Sequence, residues 1–165
     1  MSVSAVIALG GNLGDPRANI LGALEQMQSH PDIELLKSSD LVESFAMTSS
    51  GVDKSQPNYL NAVAEIATSL TPHELLVALN LIEDQFGRVR SERWASRTLD
   101  IDIITYGDEL VDSPELVIPH PRAFQRAFVL VPWAQMDSKA VLPGHGLVSE
   151  LATGVASEVW THAAN

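Results

Sequence analysis

A chain of 165 residues can bury one substantial core but is short for two. Its 45% hydrophobic and 19% charged content is that of an ordinary globular protein, and no run approaches the roughly 18 consecutive apolar residues of a membrane span. The lack of cysteine excludes disulfides and thiolate metal sites, and a net charge of −11 argues against general binding to nucleic acid or anionic membranes. The start, Met1-Ser2-Val3-Ser4-Ala5-Val6, lacks the basic residues of a secretion signal. The expectation is one domain over residues 1–165, monomeric, in a reducing cytoplasm.

In chain order, Val3–Leu9 reads as a strand, short, β-branched and ended by Gly10-Gly11. Asp15-Pro16 then opens a helix that runs to about Ser29, with Ile20, Leu24 and Met27 on one face. Ile33–Ser44 reads as a second, bent strand, residues 46–57 as a polar loop, and Ala62–Thr68 as a strand. Thr71-Pro72-His73-Glu74 has capping-box spacing, and Leu75, Leu79, Ile82 and Phe86 follow at helical intervals until Gly87 supplies a stop. Beyond an arginine-rich loop from Arg88 to Arg97, Thr98–Tyr106 is a predicted strand and Phe128–Pro132 another. Leu147–Trp160 is a predicted helix, weakened by Gly154. The order strand, helix, strand, strand, helix, strands predicts an α+β, ferredoxin-like split βαβ sandwich. Its sheet would be antiparallel or mixed, with two main flanking helices on one side. A doubly wound α/β fold is the weaker alternative, because it needs more crossover helices than the pattern supplies.

The chemistry concentrates in one window. Residues 88–126 hold six of the ten cations, all arginine, against seven acids, a balance of −1; the remainder carries −10. Arginine's planar fork suits phosphate oxygens, so this window reads as a site for a small polyanion. Within it, Leu99-Asp100-Ile101-Asp102-Ile103 would, on a strand, send both aspartates to one face and the apolar residues to the core. Two carboxylates about 7 Å apart at Cβ can converge on a hard cation such as Mg²⁺ together with substrate phosphates. Two solvated acids on an outer sheet face would look the same.

His120 lies between Pro119 and Pro121, in a stiff segment that suits a fixed hydrogen-bond donor, and Arg122 and Arg126 follow it. Gln56-Pro57-Asn58-Tyr59-Leu60-Asn61-Ala62 brings an aromatic ring and carboxamides to the start of a strand. Asparagine can match the edge of a heterocycle while Tyr59 and Phe128 stack on its faces; turn chemistry and ordinary core packing explain the same residues equally well. Gly10-Gly11-Asn12-Leu13-Gly14-Asp15 lacks the marks of a P-loop or a dinucleotide fingerprint, and reads as a tight turn under a pocket.

Taken together, these segments resemble the 6-hydroxymethyl-7,8-dihydropterin pyrophosphokinase family of folate biosynthesis. The resemblance runs in order through Ala8-Leu9-Gly10-Gly11-Asn12-Leu13-Gly14, the Gln56 to Ala62 segment, Gly87-Arg88-Val89-Arg90, Arg93-Trp94 with Arg97-Thr98-Leu99-Asp100-Ile101-Asp102-Ile103, and Pro119-His120-Pro121-Arg122. It implies a Mg²⁺-dependent transfer of pyrophosphate from ATP to the pterin, both small-molecule substrates. By matching position it implies that Asp100 and Asp102 hold two Mg²⁺ ions and that Arg88, Arg97, His120 and Arg126 contact the triphosphate. Arg90 and Trp94 would sit on a loop that closes over ATP. Tyr59 and Phe128 would sandwich the pterin, Asn61 with Ser44 would read its edge, and Asn12 and Glu83 would support the site from behind. Three departures stand out. The stretch between Arg90 and Arg93 is one residue short, Ala95-Ser96 replaces the usual Gly-Pro, and residues 45–55 lack the usual proline-rich stretch and look extended.

Overall fold

The computed structural model describes residues 2–48, 51–55, 57–86 and 98–162. In chain order its elements are β1 (Val3–Gly11), α1 (Pro16–Ser29), β2 (Ile33–Ser38), β3 (Val42–Ser44), β4 (Ala46–Thr48), β5 (Gly51–Asp53), β6 (Tyr59–Thr68), α2 (Pro72–Gln85), β7 (Asp100–Tyr106), β8 (Val111–Asp112) and β9 (Val117–Ile118). Then come α3 (Ala127–Met136), β10 (Val141–Leu142), β11 (Gly146–Leu147), α4 (Val148–Thr153) and β12 (Trp160–Thr161). The main sheet runs β12-β3-β6-β1-β7, with β2 also on β6, and all its pairings are antiparallel. This is the ferredoxin-like split βαβ order. Among the described residues no helix is long and apolar enough to cross a membrane.

Both long helices begin where their caps place them. The Asp15 carboxylate accepts from the Ala18 N–H at 3.1 Å, with Pro16 in the first turn, and the helix closes at Ser29. At α2 the capping box is complete: Thr71 Oγ1 accepts from the Glu74 N–H at 3.2 Å, and Glu74 Oε1 accepts from the Thr71 N–H at 2.9 Å. Their apolar faces, including Ile20 and Met27 of α1 and Leu75 and Leu79 of α2, bury one side of the sheet. Gly22 in α1 is a packing glycine, since a Cβ there would lie 2.8 Å from the Phe86 ring.

The opposite face is covered as well, which the sequence pattern did not predict. Val129, Leu130 and Trp133 of α3, with Val148 and Ala152 of α4, pack on Val6, Ala8, Val63 and Ile104. Phe128–Pro132, predicted as a strand, is therefore the first half of α3. A short apolar run buried on all sides carries no period to tell strand from helix. The predicted bent strand at 33–44 is two strands, because Ser39 turns aside to exchange hydrogen bonds with Val63 at 2.8 and 2.9 Å. The 46–57 loop contains the β4–β5 hairpin. Of the helix predicted at 147–160, only Val148–Thr153 is α-helical, and the chain then passes through a short 3-10 turn into β12. Gly87 lies outside the described residues.

The capping box gives a test. Its hydrogen bonds to Thr71 hold the Glu74 pKa below the ordinary carboxylate range. The stabilisation is therefore complete above the unfolded-state value and is lost as pH falls through the lower, folded-state one. Thr71→Ala should lower Tm by about 2–4 °C at pH 7, from a cap contribution of about 1 kcal/mol. For Glu74→Ala, the deficit against the parent should shrink in acid as Glu74 protonates. Calorimetric melts between pH 3 and pH 7 check both.

Candidate active site

Strand register builds the centre of the site. Gly10 on β1 pairs with Asn61 on β6 and with Asp100 on β7, while Ala8 pairs with Val63 and Asp102. Cross-strand partners share a face, so one surface carries the two aspartates on one side of β1 and Asn61 on the other. Leu99, Ile101 and Ile103 are buried in the opposite core, as the alternation in the sequence requires. Gly10 allows this row to close: a Cβ there would lie 2.2 Å from Asn61 Oδ1 and 3.3 Å from the Leu60 carbonyl oxygen.

Two buried polar side chains brace the row from behind. Glu83, fully buried on α2, accepts from the Ile101 N–H at 2.7 Å, gripping the backbone between the aspartates. The sequence signal for it is an acid spaced four and eight residues from buried Leu79 and Leu75. Asn12 Nδ2 donates to the Pro57 carbonyl at 3.0 Å, tying the glycine turn to the segment that enters β6.

The 118–128 segment supplies the opposite wall. After the cis Ile118–Pro119 bond, the His120 N–H donates to the Ile104 carbonyl at 2.9 Å. Nδ1 of His120 accepts from the Arg122 N–H at 3.2 Å, so the ring proton belongs on Nε2. Burial pushes the His120 pKa down to about 4; Arg126 adds to that and Asp100 opposes it. At neutral pH the ring is an uncharged donor through Nε2. Arg126 places a guanidinium nitrogen 3.9 Å from Asp102 Oδ2 and its central carbon 5.4 Å from the Phe128 ring centre.

These groups line one cavity of about 720 Å³. Asp100, Asp102, His120 and Arg126 lie around it with Ser44, Tyr59, Asn61 and Phe128, all nominated from sequence. Phe128 reaches it from the first turn of a helix, not from a strand. Arg88, Arg90, Trp94 and Arg97 lie outside the described residues. Sequence reasoning passed over Phe45 and Trp160, which also line the cavity. Neither carries a local pattern, and Trp160 falls within the predicted helix that becomes β12.

The arrangement offers two kinds of recognition. Buried Asn61 Nδ2 has no hydrogen-bond partner among the described residues, a donor that calls for an acceptor from a ligand. Asp100 and Asp102 are half-buried carboxylates on one face, and no cluster of three acidic or histidine ligands occurs among the described residues. That donor set fits a hard cation such as magnesium, which takes few carboxylates and completes its shell with phosphate and water oxygens.

Comparison with known proteins bears on the family and the fold. A family profile described as 7,8-dihydro-6-hydroxymethylpterin-pyrophosphokinase (HPPK) matches residues 6–138. A Haemophilus influenzae protein named 2-amino-4-hydroxy-6-hydroxymethyldihydropteridine pyrophosphokinase is 40% identical over 149 residues, covering 90% of this chain and 91% of that one. A Pseudomonas aeruginosa protein of the same name is 41% identical over 145 residues, 88% and 87% of the two chains. Among solved structures, Plasmodium falciparum wild-type HPPK-DHPS with pteroate superposes with a TM-score of 0.70 at 14% identity. It covers 95% of this chain, which spans 43% of that longer protein; the likeness is one of fold.

Gly10→Ala should force the Asn61 side chain out of place and lower Tm by about 3–8 °C, from an overpacking cost of about 1–3 kcal/mol. A melt and a crystal structure of the variant check this; an unmoved Asn61 would contradict the role given to the glycine.

Proposed function

The chain belongs to the 7,8-dihydro-6-hydroxymethylpterin-pyrophosphokinase family, and from that premise we propose how its residues divide the reaction. The enzyme transfers pyrophosphate from ATP to 6-hydroxymethyl-7,8-dihydropterin, giving the pterin diphosphate and AMP in folate biosynthesis. The pterin hydroxymethyl oxygen attacks the β-phosphorus, the bond from that phosphorus to the α–β bridging oxygen breaks, and AMP leaves with that oxygen. Such a transfer needs alignment and charge neutralisation more than a covalent protein nucleophile.

The observation that carries this reading is the single cavity shared by an ionic group and an aromatic, carboxamide-bearing group. In the ionic part, Asp100 and Asp102 would hold two magnesium ions, which would supply neutralisation of charge on the phosphate oxygens. Neutral His120 donates from Nε2 to a phosphate oxygen, and Arg126 turns from Asp102 toward the same group. Arg88 and Arg97 contact the triphosphate, and Arg90 and Trp94 belong to the segment that closes over ATP and excludes water. One of the two aspartates takes the hydroxymethyl proton. In the other part, Tyr59 and Phe128 hold the pterin ring between them, and Asn61 and Ser44 read its edge, with Nδ2 of Asn61 finding the acceptor it lacks. The reading is completed by one domain over residues 1–165, working as a cytoplasmic monomer without nucleic-acid or membrane partners.

With ATP, Mg²⁺ and 6-hydroxymethyl-7,8-dihydropterin, mass spectrometry should find AMP and the pterin diphosphate; ADP as the product would overturn pyrophosphoryl transfer. Asp100→Ala and Asp102→Ala should each lower kcat by about 10³-fold, the scale of removing an electrostatic group from a phosphoryl-transfer site, with Tm retained. Near-parental turnover in both variants would remove the metal role.

A further inference from the structure

The edge of the sheet next to the Ser44–Tyr59 pair is made by residues far apart in sequence. β12 pairs antiparallel with β3, setting Trp160 opposite Glu43 and Thr161 opposite Val42. Two further contacts hold it there: the His162 N–H bonds to the Leu41 carbonyl at 2.9 Å, and His162 Nδ1 lies 3.2 Å from Glu43 Oε2. Next to it, Val159 is buried with Val42 of β3 and Ala127 of α3. A two-residue strand held on both sides in this way gives its tryptophan a fixed position.

That tryptophan meets Phe45 edge to face, with ring centres 5.0 Å apart and planes at 61°. On Phe45 sits the ammonium of Lys54, 4.8 Å from the ring centre, carried by the segment that leaves the β4–β5 hairpin. Both rings line the cavity, yet each is only partly covered, 37% of its surface remaining exposed. Large aromatic side chains held in a defined pair and left open toward a cavity are contact surface awaiting a flat, apolar-faced partner. Strand order gives the direction. The sheet runs β7-β1-β6-β3-β12; the paired row that starts at Asp100 passes through Gly10, Asn61 and Val42 to Thr161, and Trp160 is the neighbour of Thr161, set opposite Glu43. The aromatic pair therefore stands at the edge of the sheet remote from the aspartates.

We propose that Trp160, held against Phe45 by the β3–β12 pairing, is a specificity-determining residue for the pterin. It forms an end wall that touches the ring edge remote from the reacting hydroxymethyl group and excludes water there. This rests on the reading of the cavity as the pyrophosphokinase site. It gives a task to the divergent 45–55 segment and to a C-terminal strand that lies beyond the family match at 6–138. A contact that is equal in ground and transition states belongs in KM for the pterin and leaves kcat alone, and an end wall that does not move with the reacting group is a contact of that kind.

The test compares the full-length parent with Trp160→Ala, Phe45→Ala and Trp160→Phe in steady-state kinetics with both substrates varied. Trp160→Ala and Phe45→Ala should raise KM for the dihydropterin about tenfold, the scale of one aromatic contact, with KM for ATP and kcat within about twofold. Trp160→Phe should recover most of the loss. Calorimetric titration of 6-hydroxymethylpterin, with Mg²⁺ and a non-hydrolysable ATP analogue present, should show Kd weakened by the same factor. Trp160→Leu keeps apolar bulk at the strand edge and carries the measurement if the alanine variant does not fold. An unchanged pterin KM and Kd would overturn the proposal, as would a uniform loss in kcat and both KM values with a lowered Tm, the mark of a merely structural edge. Failure of the parent itself to make AMP would instead sink the pyrophosphokinase reading on which the proposal rests.

Discussion

Burial of Leu99, Ile101 and Ile103 beneath α1 and α2 sets the phase of β7, and the site inherits that phase. A strand has two faces, and a slip of one residue would carry both aspartates into an apolar core. Two unpaired carboxylates there would each cost several kcal/mol, far more than the strand could regain. Glu83 strengthens the constraint by accepting from the Ile101 N–H, so the backbone between the aspartates is gripped from α2 as well as paired with β1. Beyond the aspartates the strand changes phase. A register shift opposite Val6 and Ile7 leaves Ile104 as the extra residue, which packs with α3 while Tyr106 returns to the core shared with Ile103. One strand thereby serves the ionic site at its start and two cores at its end.

Given that phase, electrostatics explains why the cations gather where they do. On the proposed reading a chain of net charge −11 must still accept a polyanion beside two carboxylates. Repulsion on that scale is overcome only locally, by cations brought within a few ångströms, where screening by salt is weakest. Arg126 already lies between Asp102 and the Phe128 ring, joining the ionic and aromatic parts of the cavity through one side chain. His120 contributes differently. With Nδ1 engaged by the Arg122 N–H and its pKa depressed by burial, it offers direction, not charge.

How much of this could be read from residues alone depended on whether the deciding interaction was local. The caps at Asp15 and Thr71, the α1 and α2 faces and the Asp100–Asp102 alternation are set within a few residues of sequence, and each stands in the structure where the pattern puts it. Asp100, Asp102, His120, Arg126, Ser44, Tyr59, Asn61 and Phe128 are likewise nominated by sequence, and the fold brings them to one cavity. Misreadings occurred where tertiary context decides. Phe128–Pro132 is apolar on every side because it lies between sheet and α4, so no period betrayed a helix. The helix expected through Trp160 ends at Thr153, and Trp160–Thr161 forms a strand only because β3 has an edge to offer. Of the second helical layer the pattern offered only the stretch that holds α4, and neither α3 nor the sheet face that the two cover.

The closed row across β6, β1 and β7 is also what would let one small cavity serve the two dissimilar ligands of the proposed reading. Asn61 and Asp100 are brought level by a shared partner, Gly10, which contributes no side chain of its own. Any side chain at that position would separate the carboxamide from the carboxylates and divide the cavity. Alignment of an attacking hydroxyl with a phosphorus atom is lost over about 1 Å, so on the proposed division of roles the spacing between Asn61 and the two aspartates has to be built into the backbone itself. Hydrogen-bonded antiparallel strands, about 4.8 Å apart, provide such a spacing and resist changing it. On that reading reactant geometry is a property of the sheet, and the surrounding loops and helices act on it from outside.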